Sequence, residues 1–307
     1  MSTRNKSHQA VLLLAHGSPD SLGQIPEFLS KVTGGRPLPA AVVEEVKHRY
    51  ARVGSFPLTY LTVKQGELLS ERLGMPVYVG MRNWHPLVSE TLGRMNADGI
   101  THVRVICMAP QNSRTSVGLY RSSLRDAVCN MSFDFVESWH DQPKLIQSFA
   151  EKLTTGLAQA EIEYGKVPPV IFTAHSVPER TILEGDPYED QTKQTAALVA
   201  SAARLDRSAW KFAFQSQGMS GGTWLGPTVE QTILQLKTSG QDGVFIQPIG
   251  FLCDHIEILY DIDIGFKEFA AAQGMRLWRA ESLNTSPLLT EALAEIVRSR
   301  TFVPDRH

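Results

Sequence analysis

Cysteine is scarce in this chain. Three occur in 307 residues, Cys107, Cys129 and Cys253, with no CxxC pair and no even set to lay out a disulfide framework. That usage fits a reducing compartment, and a cytoplasmic location is expected. An excess of charge of one sign is also missing: 30 Lys and Arg stand against 32 Asp and Glu, a formal net charge of −2. No basic field is available to neutralise phosphates, so nucleic acid is not an expected partner. Long apolar runs are absent too. The stretch Ala10–Ala15 has six residues, too few for a signal-peptide core and far short of the roughly 20 of a spanning helix. Neither GxGxxG after a strand nor GxxxxGK[ST] occurs, and Cys and His lack zinc spacings.

What is present is a globular composition, 42% hydrophobic and 20% charged, which excludes low-hydrophobicity disorder. At roughly 150 residues per domain the length points to two domains, and a chain this long buries a large core without staples. Short apolar runs alternate with longer amphipathic stretches, the pattern of a parallel sheet covered by helices. The predicted strands are Val11–Ala15, Val77–Met81, Val103–Met108 and Phe133–Val136, then Val170–Ala174, Lys211–Gln215, Val244–Pro248 and Arg276–Ala280. Predicted helices fill the intervals, among them Thr62–Leu73, Pro86–Ala97, Lys144–Ala160, Thr192–Arg204 and Thr228–Lys237. The division expected is 1–150 and 151–307, with a helix over 287–303 packing back on the first half.

The halves echo each other. Leu13-Leu-Ala-His16-Gly-Ser-Pro19 and Phe172-Thr-Ala-His175-Ser-Val-Pro178 both end a first strand in Ala-His and place Pro three residues later, about half the chain apart. Two similar α/β domains are therefore expected. Ligands of open parallel sheets sit beyond the carboxyl ends of the strands. His16, Arg82, Gln111, His175, Ser216 and the 254–257 segment all follow predicted strands closely, which places a site in the cleft between the domains.

Gly218-Met-Ser220-Gly-Gly222 matches the nucleophile-elbow pattern GxSxG, with Asp254-His255 downstream. The elbow needs its Ser on a sharp turn straight from strand to helix. Here Thr223-Trp-Leu-Gly-Pro227 intervenes, and another predicted strand follows His255. Hydrolysis is the most distant reading.

The stretch Gly250-Phe-Leu-Cys-Asp254-His255-Ile-Glu257-Ile-Leu-Tyr-Asp261-Ile-Asp263 packs four carboxylates and an imidazole among apolar residues. If helical, Glu257 and Asp261 share one face. Such apolar company raises carboxylate pKa values and makes them proton acceptors near neutrality; the alternative is an ordinary solvated acidic face. Taken singly, His175 reads as a packing or capping residue, and Trp84 and Trp224 read as core.

The neighbouring motifs change that balance. In order along almost the whole chain stand Val79-Gly-Met-Arg82-Asn-Trp84-His-Pro86, Pro110-Gln-Asn-Ser113, Thr173-Ala-His175-Ser-Val-Pro178, Gly185-Asp-Pro-Tyr188, Phe214-Gln-Ser216, Trp224-Leu-Gly-Pro227 and Gly250-Phe-Leu-Cys-Asp-His255-Ile-Glu257-Ile-Leu-Tyr260. Jointly they resemble the ferrochelatases. The resemblance implies an enzyme that inserts ferrous iron into a porphyrin, protoporphyrin IX or coproporphyrin III, in a cleft between two Rossmann-like domains. It implies the catalytic pair His175 and Glu257, with Asp261 next on a metal or proton path. Arg82 and Trp224 would line the macrocycle, and Ser216 is a weaker candidate for the same wall. The chemistry agrees: metallation removes pyrrole protons as Fe²⁺ enters, so a base must stand over the ring. A neutral imidazole is both a base and a ligand able to release iron again.

The chain also departs from that family. Some ferrochelatases hold a [2Fe–2S] cluster on cysteines; here Arg114 stands at one such position and no cluster is expected. A monomer is expected because the C-terminal extension of some members is missing. Peripheral membrane contact and an acceptor protein for the haem stay open. Gly265 occupies the place of a further acidic residue. Ala15-His16-Gly-Ser18 resembles instead the small sirohydrochlorin chelatases, in which such a His binds metal, so His16 is a candidate ligand on the opposite ring face; the alternative is a helix-capping His. Two other functions remain beside ferrochelatase: an iron or cobalt chelatase for sirohydrochlorin, and a porphyrin- or haem-binding protein without turnover.

Overall fold

Among the described residues, eight strands form where apolar residues run without alternation, because both faces of each sheet are covered. The computed structural model describes residues 8–125, 131–217 and 222–299; positions 218–221 of the GxSxG match and Cys129 lie outside these. The strands are β1 Gln9–Ala15, β2 Val77–Met81, β3 His102–Cys107, β4 Ser132–Val136, β5 Val170–His175, β6 Trp210–Gln215, β7 Gly243–Pro248 and β8 Arg276–Arg279. All pair in parallel, in the orders β2-β1-β3-β4 and β6-β5-β7-β8. The two orders are the same order, as the repeated Ala-His signature predicts. The predicted helices also form, as Pro57–Leu73, Val88–Ala97, Pro143–Tyr164, Tyr188–Ala202 and Val229–Thr238.

The repeat extends to details beyond the strands. Met81 N donates to Pro86 O at 2.7 Å after β2, and Phe214 N donates to Pro227 O at 2.8 Å near the end of β6. Both edge strands are thus folded back on themselves at the same point, which holds their carboxyl ends open toward the site.

One apolar cluster runs through both halves. Leu13 of the first sheet and Phe172 of the second belong to it, joined by Phe149, Leu153 and Leu157 of the Pro143–Tyr164 helix. Each such side chain contributes about 1.5–3 kcal/mol through burial. That helix runs unbroken through position 150, where the sequence reading divides the chain. It lies so close to β7 that a Cβ on Gly156 would meet the Phe245 ring at 2.7 Å. The Pro287–Ser299 helix packs on the first half; positions 300–303 of its predicted span lie outside the described residues. Buried Arg104 of β3 donates to the carbonyls of Ile296 at 3.2 Å and Val297 at 2.9 Å.

A smaller cluster joins Ile25, Phe28, Leu29 and Tyr50 to Trp84 after β2 and to Ile256 of the second half. It sets the Ala40–Val53 helix across the mouth between the sheets. Among the described residues, no helix is long and apolar enough to cross a membrane.

Candidate active site

Parallel sheets direct the chain leaving each strand toward one edge, and the two edges face each other here. His16 follows β1, Arg82 follows β2, His175 ends β5 and Ser216 follows β6. Glu257 sits on the short Ile256–Leu259 helix, which passes into a π-helix over Asp261–Phe266. Ile258, Ile262 and Phe266 form its buried stripe against the second sheet. Side chains four apart overshoot a full α-helical turn; the wider π turn brings the stripe back into line. The same correction keeps Glu257 and Asp261 facing the opening. π-turns of this kind concentrate at functional sites.

His175 Nε2 lies 3.6 Å from Glu257 Oε2, with about a third of each side chain exposed. The Trp224 ring is tilted against His175 at 6.5 Å between centroids. His175 Nδ1 is bonded to Ser176 O, His16 Nδ1 to Gly17 O at 3.0 Å and His255 Nδ1 to Cys253 O at 3.0 Å. A carbonyl only accepts, so each Nδ1 carries a proton and Nε2 is the nitrogen left to exchange one.

His16 is exposed just past β1. Desolvation by the surrounding protein, with the Arg82 charge, lowers its pKa against the opposing pull of the Gly17 carbonyl and Glu257. Burial lowers His255 likewise. His16 caps no helix: the chain is irregular from Gly17 to Ser21. His16 and Glu257 therefore share one electrostatic field across the mouth.

The four carboxylates of the acidic stretch separate into two pairs with different work. Asp254 accepts from Ser282 Oγ at 2.7 Å and Asn284 Nδ2 at 2.9 Å. Asp263 takes Nε and one terminal nitrogen of Arg279, both at 2.7 Å. These two are fastened into the fold. Glu257 and Asp261 face the opening, and the expectation that apolar company raises both pKa values holds for one of them. Burial pushes Asp261 up to about 6, against the Ser216 hydrogen bond and with the Glu257 charge adding to the rise. Burial would raise Glu257 as well, but the positive fields of His175, His255 and His16 overcome it and hold it below the usual carboxylate range. Its Oε2 is buried and accepts no hydrogen bond.

The remaining predicted residues take definite places. Arg82 lies 5.9 Å over the Tyr120 ring, its Nε donating to Asn83 Oδ1 at 3.3 Å, and makes no salt bridge among the described residues. Ser216 donates to Asp261 Oδ2. Trp84 is core, 3% exposed, its Nε1 donating to Asp20. Arg114 pairs with Glu184 and donates to Thr181 O at 3.0 Å, and its backbone N donates to Asp186 Oδ2 at 2.8 Å, tying the halves together. Among the described residues, no three His, Cys, Asp or Glu side chains converge closely enough to hold a metal unaided.

Four contributors were not singled out from sequence. Tyr188 Oη donates to the His175 carbonyl at 2.9 Å; the quoted Gly185-Asp-Pro-Tyr188 motif contained the signal without its meaning. Gln215 Nε2 donates to the Glu257 carbonyl at 3.2 Å, a contact visible only from strand register. Arg49 and Arg52 lie over the Tyr260 ring at 5.2 and 5.8 Å, carrying the Ala40–Val53 helix across to the second half.

Comparison with known proteins agrees with this geometry. A family model described as Ferrochelatase matches residues 8–301. The Ferrochelatase of Acidobacterium capsulatum is 52% identical over 306 residues, covering 94% of this chain and 94% of that protein. The Coproporphyrin III ferrochelatase of Geobacillus kaustophilus is 32% identical, covering 98% of this chain and 99% of that protein. Among solved structures, the sirohydrochlorin chelatase SirB from Bacillus subtilis subspecies spizizenii in complex with cobalt superposes with a TM-score of 0.53 over 95% of this chain and 94% of that one, at 10% identity. That last likeness is one of fold. The chain belongs to the ferrochelatase family.

Proposed function

We propose that this chain inserts ferrous iron into a porphyrin, protoporphyrin IX or coproporphyrin III, as a step of haem formation. The observation that carries the reading is the apposition of His175 Nε2 and Glu257 Oε2 at 3.6 Å, at the mouth between two parallel sheets, with Asp261 next along the same face. His175 takes pyrrole protons on Nε2 and hands the metal to the ring. Glu257, ionised and otherwise unpartnered, stabilises the imidazolium that results. Asp261, poised near pH 6, receives protons in turn. Arg82, free of carboxylate partners among the described residues, pairs with a propionate. Trp224 covers the ring plane beside His175, and bending of the macrocycle is driven by apolar contact around it.

His16 supports a second reading of the metal's surroundings. Its Nε2 is the free nitrogen and Glu257 acts on it electrostatically, so it ligates iron from the opposite ring face. The same feature favours sirohydrochlorin as the competing substrate. A protein that only binds haem has no use for an unpartnered carboxylate beside an imidazole base.

Anaerobic incubation with Fe²⁺ and each of protoporphyrin IX, coproporphyrin III and sirohydrochlorin, followed through the Soret and visible bands, tests the proposal. The expected outcome is a metalloporphyrin spectrum with one or both porphyrins. Product from sirohydrochlorin alone would move the assignment to the competing substrate, and no product from any of the three would overturn the enzymatic reading.

A further inference from the structure

We propose that Gln215 and Ser216 are positioning residues, a two-residue clamp that sets where Glu257 and Asp261 stand relative to His175. The inference rests on the reaction assigned above, and it concerns residues that touch neither metal nor porphyrin in that assignment.

The clamp follows from strand geometry. Gln215 is the last residue of β6, in register with His175 on β5, and its carbonyl accepts from Ser176 N at 2.7 Å. Its side chain, 2% exposed, reaches the other way and donates to the Glu257 carbonyl at 3.2 Å. One residue therefore spans from the His175 strand to the Glu257 helix and fixes the distance between them.

Successive residues of a strand face opposite sides. Continuing extended, Ser216 would point away from the helix that Gln215 reaches. Instead Ser216 adopts φ +56°, a left-handed conformation rare outside glycine, Asn and Asp. The reversal returns its hydroxyl to the same helix, where it donates to Asp261 Oδ2. Unfavourable backbone conformations of this kind persist where the surroundings over-determine them and gather at active sites. Here the reversal has one evident product: two consecutive side chains hold two consecutive turns of the acid-bearing helix.

Ser216 variants separate the hydroxyl from the backbone conformation. Ser216→Ala removes the donor and disfavours the left-handed turn. Ser216→Gly removes the donor but accepts the turn, and Ser216→Asn accepts the turn and restores a donor. In steady-state assays of the full chain with Fe²⁺ and porphyrin, kcat is expected to fall on the order of tenfold in both Ala and Gly. The porphyrin KM should stay within about twofold and Asn should recover part of the loss, because the displaced group acts on the reacting centre and not on ring binding. Hydrogen exchange at the Asp261–Phe266 amides should quicken in Ala and Gly and return toward native in Asn. Gln215→Met, which removes the other donor at similar volume, should lower kcat in the same way.

A Gly variant as active as the native chain, or unchanged exchange in Ala, would overturn the clamp. If Gln215→Met fails to fold, the Ser216 series still decides. Absence of turnover in the native chain would strike the reaction assignment instead, and the exchange data would then judge the clamp by themselves.

Discussion

At the scale of single residues, Glu257 and Asp261 show how one segment produces two different acids. They stand four positions apart on one face, yet three imidazoles lower the pKa of the first and burial raises that of the second. In the proposed reaction proton traffic then has a direction, from the imidazole stabilised by an ionised Glu257 to an Asp261 that still has affinity for protons near pH 6. The pH dependence has a definite sign. An Asp261 already protonated receives nothing, so kcat should climb as pH rises through about 6, and Asp261→Asn should flatten that limb in a pH–rate profile. The same shift acts on stability. The native carboxyl keeps its proton up to about pH 6 while the unfolded one loses it near 3.8. Its contribution is therefore complete below the lower value and lost as pH rises through the upper, by up to about 3 kcal/mol. Urea titrations at pH 5 and pH 8 should show a smaller pH effect in the Asn variant. For His175, replacement by Ala is expected to abolish metallation while porphyrin binding, followed by fluorescence quenching, stays close to native.

At the scale of elements, the strands were legible because burial on both faces leaves continuous apolar runs, and β1 is buried from Ala10 to Ala15. The π turn was not. Its cause is the four-residue spacing of Ile258, Ile262 and Phe266, which reads equally as an ordinary helix until the sheet beneath is known. The separation of the acidic stretch into fastened and cleft-facing pairs was hidden for a similar reason: Arg279, the partner of Asp263, comes from β8, 16 positions along the chain. His175 and Glu257 were recognisable by their motifs, whereas Gln215 and Tyr188 act through contacts that only register and packing create. The turn after β1 shows how tightly the elements meet. Gly17 has φ +81°, and a Cβ there would meet the Trp84 Cβ at 2.9 Å. Gly17→Ala combines a left-handed penalty with overpacking, together about 2–4 kcal/mol. It should appear as a lowered urea midpoint and as altered His16 ligation in haem spectra.

At the scale of the whole molecule, two sheets of identical order are joined through one shared apolar cluster, while each keeps a second cluster of its own. The Pro143–Tyr164 helix belongs to both, and the Pro287–Ser299 helix returns to receive Arg104. A fragment ending at residue 150 would leave the buried Arg104 guanidinium without those carbonyls and would cut the shared helix short. It should lack a cooperative unfolding transition by circular dichroism, and adding the second half in trans should restore one. At the mouth the three imidazoles are held in fixed orientation, each with Nδ1 committed to a carbonyl. A ring tied in that way has a single usable nitrogen. It is a cul-de-sac for protons: whatever enters at Nε2 must leave at Nε2, and no proton crosses the ring to the protein behind. In the proposed reaction the protons taken from the macrocycle therefore leave on the cleft side, past Glu257 and Asp261, so the way out of the site is a different road from the walls that surround it.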